Sequence, residues 1–534
     1  MSRSTFLAPL LATMLLAGCA RAPALSPQPP LGPSPSASST TRVQPSPTAK
    51  PTSPLPTAVA SPTYTHLLLP HDQPMLAFIE QRGGRTTLVL SDVSLGSFAR
   101  IDLPSEAIFT SPIIRGLSPD AEYFAFFEGG VVDPQWDHLE SVSPDFHIRV
   151  VGLEDGNTVL SQALVSTSYP DDLAEVASTI LQYEMLCFGA SLEEAMAEAQ
   201  YVLLGGFRSL AWSPDGSLLA FASQRAGASS DMYQFNSSTK ATWRASSEPG
   251  HIQRLDWSPS GEFISVGSGY VYCPSLEDVT DVYSRRGDKA VSSIGGYFLG
   301  WFDSGRVLTA NIDDMGDMFS QLSAISVPSG IRASLWDGSL SHYALAPKLS
   351  RLLVSSEEPQ PYGSEEDLGL FLKIPGTSPL QRLSDAPFRE VAYWGSPQFA
   401  FAASSTEDGT FAITRENQMV PIDHLEWALS ASPDGRYLAA YAPAWHAARN
   451  QWLDGWIPQP PEGAGLKVFS GTGELLATLT DDPVNCVQWS ADSSRLAYQV
   501  QGSLFYWEPT LSTAQHVQSN LTTDCEFEWV NQGP

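Results

Sequence analysis

Trp212-Ser213-Pro214-Asp215-Gly216 runs into the apolar stretch Leu218-Leu219-Ala220-Phe221, and the same figure returns as Trp257-Ser258-Pro259-Ser260-Gly261 into Phe263-Ile264-Ser265-Val266. The physics of one copy is simple. An aromatic residue ends a strand. The Pro presets φ, the Asp bonds back to the backbone, and the Gly accepts a positive φ, which together make a tight turn. The apolar run that follows reads as a buried strand. Weaker copies begin at Leu117-Ser118-Pro119-Asp120, Trp301-Phe302-Asp303-Ser304-Gly305, Leu345-Ala346-Pro347, Trp394-Gly395-Ser396, Ala431-Ser432-Pro433-Asp434-Gly435 and Trp489-Ser490-Ala491-Asp492, with a degenerate one around His71 before Leu76-Ala77-Phe78.

Each unit carries a second hairpin downstream. Gly369-Leu370-Phe371-Leu372-Lys373-Ile374-Pro375-Gly376 leads into Gln381-Arg382-Leu383, and Leu466-Lys467-Val468-Phe469 passes through Gly473 to Leu479. Two hairpins give four strands per unit. Position 214 and its equivalents fall near 71, 119, 214, 259, 303, 347, 396, 433 and 491, so most steps are 44 to 49 residues, the period of a four-stranded propeller blade. The pattern resembles the repeats of TolB-like propellers and of the propellers that gate prolyl oligopeptidase-type enzymes. It departs from WD repeats, because no Gly-His…Trp-Asp frame recurs. The resemblance spans nearly all of residues 63–534 and speaks to fold, not to function.

The expected fold is therefore all-β: a single large β-propeller of four-stranded blades over residues 63–534. Nine units are found, whereas common propellers have four to eight blades. Eight blades is the favoured number, within a range of seven to nine, with one weak unit discounted. Cys525-Glu526-Phe527-Glu528-Trp529 reads as a lone first strand that completes the blade begun near Leu67 and closes the ring. That closure removes the edges an open sheet would leave.

One interval breaks the period. Positions 119 and 214 are separated by about two steps, and the surplus holds Leu173, Val176, Ile180 and Leu181 at helical spacing. Gly189 stops that helix, and Ser191-Leu192-Glu193-Glu194 is a capping box that starts a second toward Leu203. An α-helical insertion is expected at about 170–204. It reads either as a hairpin packed on the propeller or as a lid over one end of the channel.

The first segment is a targeting signal, set aside from fold reasoning. Arg3 supplies a positive start, Phe6 to Leu16 is an apolar run too short to span a bilayer, and Leu16-Ala17-Gly18-Cys19 follows. This resembles the bacterial lipobox, which makes residues 1–18 a lipoprotein signal peptide and implies lipid attachment at Cys19. Several acyl chains on one residue anchor firmly, whereas one is marginal. The resemblance places the protein in the cell envelope, on the extracytoplasmic side of a membrane, the outer one where the host has two. Residues 19–62 are Pro/Ser/Thr-rich. Such a stretch has nothing to bury and reads as a disordered stalk, with a reach on the order of 100 Å.

Composition narrows the function classes. The chain has 534 residues, 58 Asp+Glu against 29 Lys+Arg, and a net charge of −29. A surface this acidic repels phosphate backbones and anionic headgroups, so nucleic acid is not an expected partner. Past Cys19 the cysteines are Cys187, Cys273, Cys486 and Cys525, and four allow three pairings. Cys486 and Cys525 precede Trp489 and Trp529 at similar places in adjacent units, which favours that pair, with Cys187–Cys273 then tying the insertion to a blade. No paired Cys-x-x-Cys or His spacing points to zinc. Asn311-Ile312-Asp313-Asp314-Met315-Gly316-Asp317 is acidic but lacks the spacing of a calcium loop, so no metal and no cofactor is expected.

Catalytic motifs are also missing: no Gly-x-Ser-x-Gly elbow, His-Glu-x-x-His, Walker loop or Gly-x-Gly-x-x-Gly after a strand. The nine histidines are scattered, with His66 and His71 closest. The residues point to a non-catalytic binding or scaffold module for a protein, peptide or envelope polymer. The alternatives are a propeller enzyme or peptidase-type gating propeller acting on polysaccharide or peptide, and an envelope sensor or assembly factor. No sequence pattern marks the residues that bind.

Overall fold

The computed structural model describes residues 75–530 except 93–96, 105–106, 109–112, 134–137, 166–173, 175–176, 179–208, 226–229, 247–250, 273–274, 313–318, 357–368, 375–379, 387, 406–408, 425–427, 445–464, 512, 520 and 522–524. Nine antiparallel sheets follow one another along the chain. Numbered in order, the blades span Met75–Asp102 (blade 1), Tyr123–Ala163 (2), Leu210–Arg244 (3), His251–Ile294 (4), Tyr297–Leu340 (5), His342–Ser384 (6), Glu390–Asp423 (7), Ala428–Thr480 (8) and Cys486–Ser519 (9).

The count of nine corrects the favoured eight. The weak units are true blades because each keeps the turn by other means. Ala346 N–H still bonds the Arg351 carbonyl at 2.9 Å without an Asp-Gly pair, and the turn after Tyr393 holds one extra residue, with Trp394 and Gly395 both donating to the Ala400 carbonyl at 3.0 and 3.2 Å. Blade 2 departs from four strands in its ladder. Its sheet has three strands, and the inner position is taken by the 3-10 turn Ile113–Gly116 with single bridges Ile108↔Phe127 and Leu117↔Phe124. No α-helix enters the described element order between Thr158–Ala163 and Leu210–Trp212, so the expected helical insertion does not stand among the described elements. Apart from Ala174, Ala177 and Ser178, which have helical backbone, its span at about 170–204 lies outside the described residues.

Blade 1 takes its inner strand from the far end of the chain. Phe527–Val530 pairs antiparallel with Met75–Arg82 in the register Met75↔Val530, Leu76↔Trp529, Ala77↔Glu528 and Phe78↔Phe527. The second strands are the most buried, as in Leu218–Ser223 and Phe399–Ser405, where every residue is buried. Apolar residues point to both faces of these strands, so each sheet is covered on both sides by its neighbours.

The core consists of nine apolar clusters, one between each pair of consecutive blades. Leu218 and Ala220 of blade 3 pack with Trp257 and Ile264 of blade 4. The series closes where Leu76 and Phe78 of blade 1 meet Ala497 and Leu504 of blade 9. Each large side chain so buried contributes about 1.5–3 kcal/mol.

The motif tryptophans join blades by a second means. The indole N–H of Trp212 donates to the Gly116 carbonyl at 3.0 Å, Trp257 to Ala211 at 3.0 Å, Trp301 to Asp256 at 3.1 Å, Trp489 to Ser430 at 3.0 Å and Trp529 to Gln488 at 3.2 Å. In every case the acceptor is the residue just before the motif position of the preceding blade. Trp257→Phe keeps the ring and removes the donor. Denaturant melts should show a loss of about 1 kcal/mol, against about 3–5 kcal/mol for Trp257→Ala, which also opens a cavity.

The turn itself is a closed set of hydrogen bonds. Ser213 Oγ donates to Asp215 Oδ1 at 2.6 Å and accepts from Leu218 N–H at 2.9 Å, and Gly216 sits at φ +68°. Ser432 and Asp434 repeat this with Tyr437 N–H, and Ser490 and Asp492 with Arg495 N–H. Burial alone would raise the Asp215 carboxyl, but hydrogen bonds from Ser213, Arg285 and Ser217 outweigh it and lower it to about 2. Asp303, Asp434 and Asp492 are lowered by the same kind of balance. A lowered carboxylate stabilises the fold above its unfolded pKa, and that gain is lost as pH falls through the folded value. Stability should therefore drop between about pH 4 and pH 2, and Asp215→Asn should flatten that acid limb in melts taken across the range.

Candidate binding site at the ring seam

The inner strands of blades 8, 9 and 1 are Ala428–Ala431, Cys486–Trp489 and Phe527–Val530. On each, the residue before the motif position carries a polar side chain: Ser430, Gln488 and Glu528. The same position holds Gly116, Ala211, Gly300 and Ala344 elsewhere in the ring, and Asp256 of blade 4 is engaged by Arg254. Blade 7 has Tyr393 before its Trp394, and at the seam three consecutive units carry a polar residue at this position.

The three strands border one open cavity of about 420 Å³, walled also by Pro433, Trp489 and Trp529. The backbone beneath it is held firmly, since the carbonyls of Ser430 and Gln488 are the acceptors of the Trp489 and Trp529 indoles. Trp489 is stacked on Tyr437 at a centroid distance of 5.6 Å and an interplanar angle of 12°. Among the described residues, the side chains of Ser430, Gln488 and Glu528 enter no hydrogen bond or ion pair.

Glu528 is the one ionisable group in the lining. Protein encloses it on most sides, yet its side chain is exposed at the cavity mouth. That enclosure pushes its carboxyl above the usual carboxylate value, while the nearby Arg115 guanidinium pulls it down. A carboxyl titration followed by NMR should place Glu528 above an ordinary glutamate. Arg115→Ala should move it higher still, because the opposing positive charge is gone.

The seam is tied in three further ways. The Glu526 carboxylate, itself buried, accepts Ile113 N–H at 2.9 Å and Ile114 N–H at 3.2 Å, which links the last strand to blade 2. Gln518 of blade 9 donates to buried Glu80 of blade 1 at 2.8 Å. A disulfide joins Cys486 to Cys525, with their Cα atoms 5.8 Å apart.

The other residues singled out in the sequence are distributed as follows. Cys19, Cys187, Cys273, His66, His71 and residues 313–317 of the acidic loop lie outside the described residues. The Trp residues of the motif serve the blade interfaces. Among the described residues no group of three or more His, Cys, Asp or Glu is placed to hold a metal ion. Ser430, Gln488 and Glu528 form no motif in the sequence. Comparing the residue before each motif position across the repeats would have found them, since Ser430, Gln488 and Glu528 hold it in three consecutive units.

Nine radial sheets around a closed series of cores make the chain a β-propeller, a form suited to a binding or scaffold module. No family model matches the chain, and no curated protein matches it. Solved structures similar to it include a eukaryotic initiation factor, at 13% identity and a TM-score of 0.47, covering 84% of this chain and 96% of that one. The C-terminal WD40 domain of Sif2 is similar at 13% identity and a TM-score of 0.32, over 54% of this chain and 77% of that one. An oligogalacturonate lyase in complex with manganese is similar at 12% identity and a TM-score of 0.30, over 58% and 87%. Blade number and closure rest on the strand ladders, not on these likenesses.

Proposed function

We propose that this protein is a lipid-anchored extracytoplasmic binding module, held to a membrane through Cys19 and spaced from it by the stalk of residues 19–62. The propeller is its non-catalytic working part, and a protein partner in the envelope is its ligand. The observation that carries the binding reading is the seam cavity, whose three polar side chains have no partner within the described protein. Ser430 and Gln488 are half-buried and Glu528 is exposed, so their polar groups stand open to solvent and converge on one cavity, as the few polar groups of a ligand site do. The lipobox-like Leu16-Ala17-Gly18-Cys19 carries the anchoring.

Labelling of cells with a radioactive fatty acid tests the anchor. The wild-type chain should take up label and fractionate with membranes, whereas Cys19→Ala should lose the label and be released in soluble form. A Cys19→Ala protein that remains labelled and membrane-bound would reject the anchor.

A further inference from the structure

We propose that the seam cavity is a receptor for one basic side chain, lysine or arginine, presented by a protein partner. This rests on the binding-module reading and adds the chemistry of the ligand. The lining offers one carboxylate, Glu528, one amide, Gln488, and one hydroxyl, Ser430, and no cation. An anionic ligand would meet Glu528 with no counter-charge in the wall. A neutral apolar ligand would leave all three polar groups dry and unpaired, at about 1–3 kcal/mol for each.

A cation satisfies the set. Its N–H groups find acceptors on Glu528, Gln488 and Ser430, and its alkyl stem lies along Pro433 and the indole of Trp489, whose π face adds attraction. At about 420 Å³ the cavity falls at the lower end of the range for ligand sites, in keeping with a single long side chain. Arg115, the cation that acts on Glu528, comes from the turn Ile113–Gly116 and is not part of the lining, so it weakens the carboxylate's pull without filling the site. The net charge of −29 draws a basic partner toward the ring from a distance. The three acceptors sit at one register position on three neighbouring strands, so the ligand would brace the seam while bound.

The test uses N-acetyl-lysine amide and N-acetyl-arginine amide as probes, with N-acetyl-norleucine amide and N-acetyl-glutamate amide as controls. Binding is read from the Trp489 indole NMR signal. The basic probes should saturate in the millimolar range and the controls should not. Glu528→Gln, which removes charge and keeps shape, should weaken the basic probes at least tenfold. Gln488→Lys, which puts an ammonium beside Glu528, should fill the cavity from within and abolish probe binding, with melts confirming that both variants fold.

Equal binding of the norleucine probe, or unchanged lysine affinity in Glu528→Gln, would overturn the proposal. Envelope pull-downs with wild type and Glu528→Gln separate this failure from that of the broader reading. A partner captured equally by both proteins leaves the module in place and rejects the cavity as its receptor. A partner captured by wild type alone, and displaced by the lysine probe, supports both.

Discussion

A small sheet that is apolar on both faces cannot stand alone, and every other feature of this protein answers that constraint. Each blade buries its two faces only by lying between two others. The nine clusters are therefore not nine separate cores but one cyclic arrangement in which every interface supports the next. Such a structure has no natural end, and the strand Phe527–Val530 supplies the missing inner strand of blade 1. Hydrophobic contact alone tolerates sliding. The indole bonds from Trp212, Trp257, Trp301, Trp489 and Trp529 to the preceding blade fix the register between those sheets as well as adding stability.

The same bond explains why the seam can carry a site. At blades 8 and 9 the carbonyl that receives an indole belongs to the residue whose side chain faces the cavity. The backbone is fixed by the ring while the side chain is left free for a ligand. In blades 2, 3, 5 and 6 that position holds Gly or Ala, which pack and offer nothing to bind, and in blade 4 it holds Asp256, which Arg254 occupies. Function thus sits on the part of the repeat that the fold does not need, on a scaffold held rigid by the part that it does.

Much of the architecture was legible in the chain itself. The Ser-Pro-Asp-Gly turn, the apolar run after it and the step of 44 to 49 residues identify the repeat, because each rests on local backbone chemistry. The blade number was less so. Leu345-Ala346-Pro347 and Trp394-Gly395-Ser396 lost the sequence marks of the turn while keeping its backbone hydrogen bonds. In blade 2 a 3-10 turn does the work of a strand, which no period-two pattern would reveal. The site was hidden for a different reason. Ser430, Gln488 and Glu528 are 98 residues apart at the extremes and form no motif. Only the ring brings them to one cavity, and only a residue-by-residue comparison of repeats sets them apart.

The borrowed strand of blade 1 has a consequence for how such a protein is made. Phe78 lies opposite Phe527, so nearly the whole chain must be synthesised before the first sheet to appear can be finished. Until then Met75–Arg82 presents an unpaired apolar edge of the kind that recruits stray strands. Contacts this distant in sequence also form slowly. If the chain is exported as proposed, it meets this problem on the far side of the membrane, where an oxidising compartment would let the Cys486–Cys525 disulfide form. Under the proposed extracytoplasmic placement, the linkage that completes the ring would also be the one whose formation waits for export.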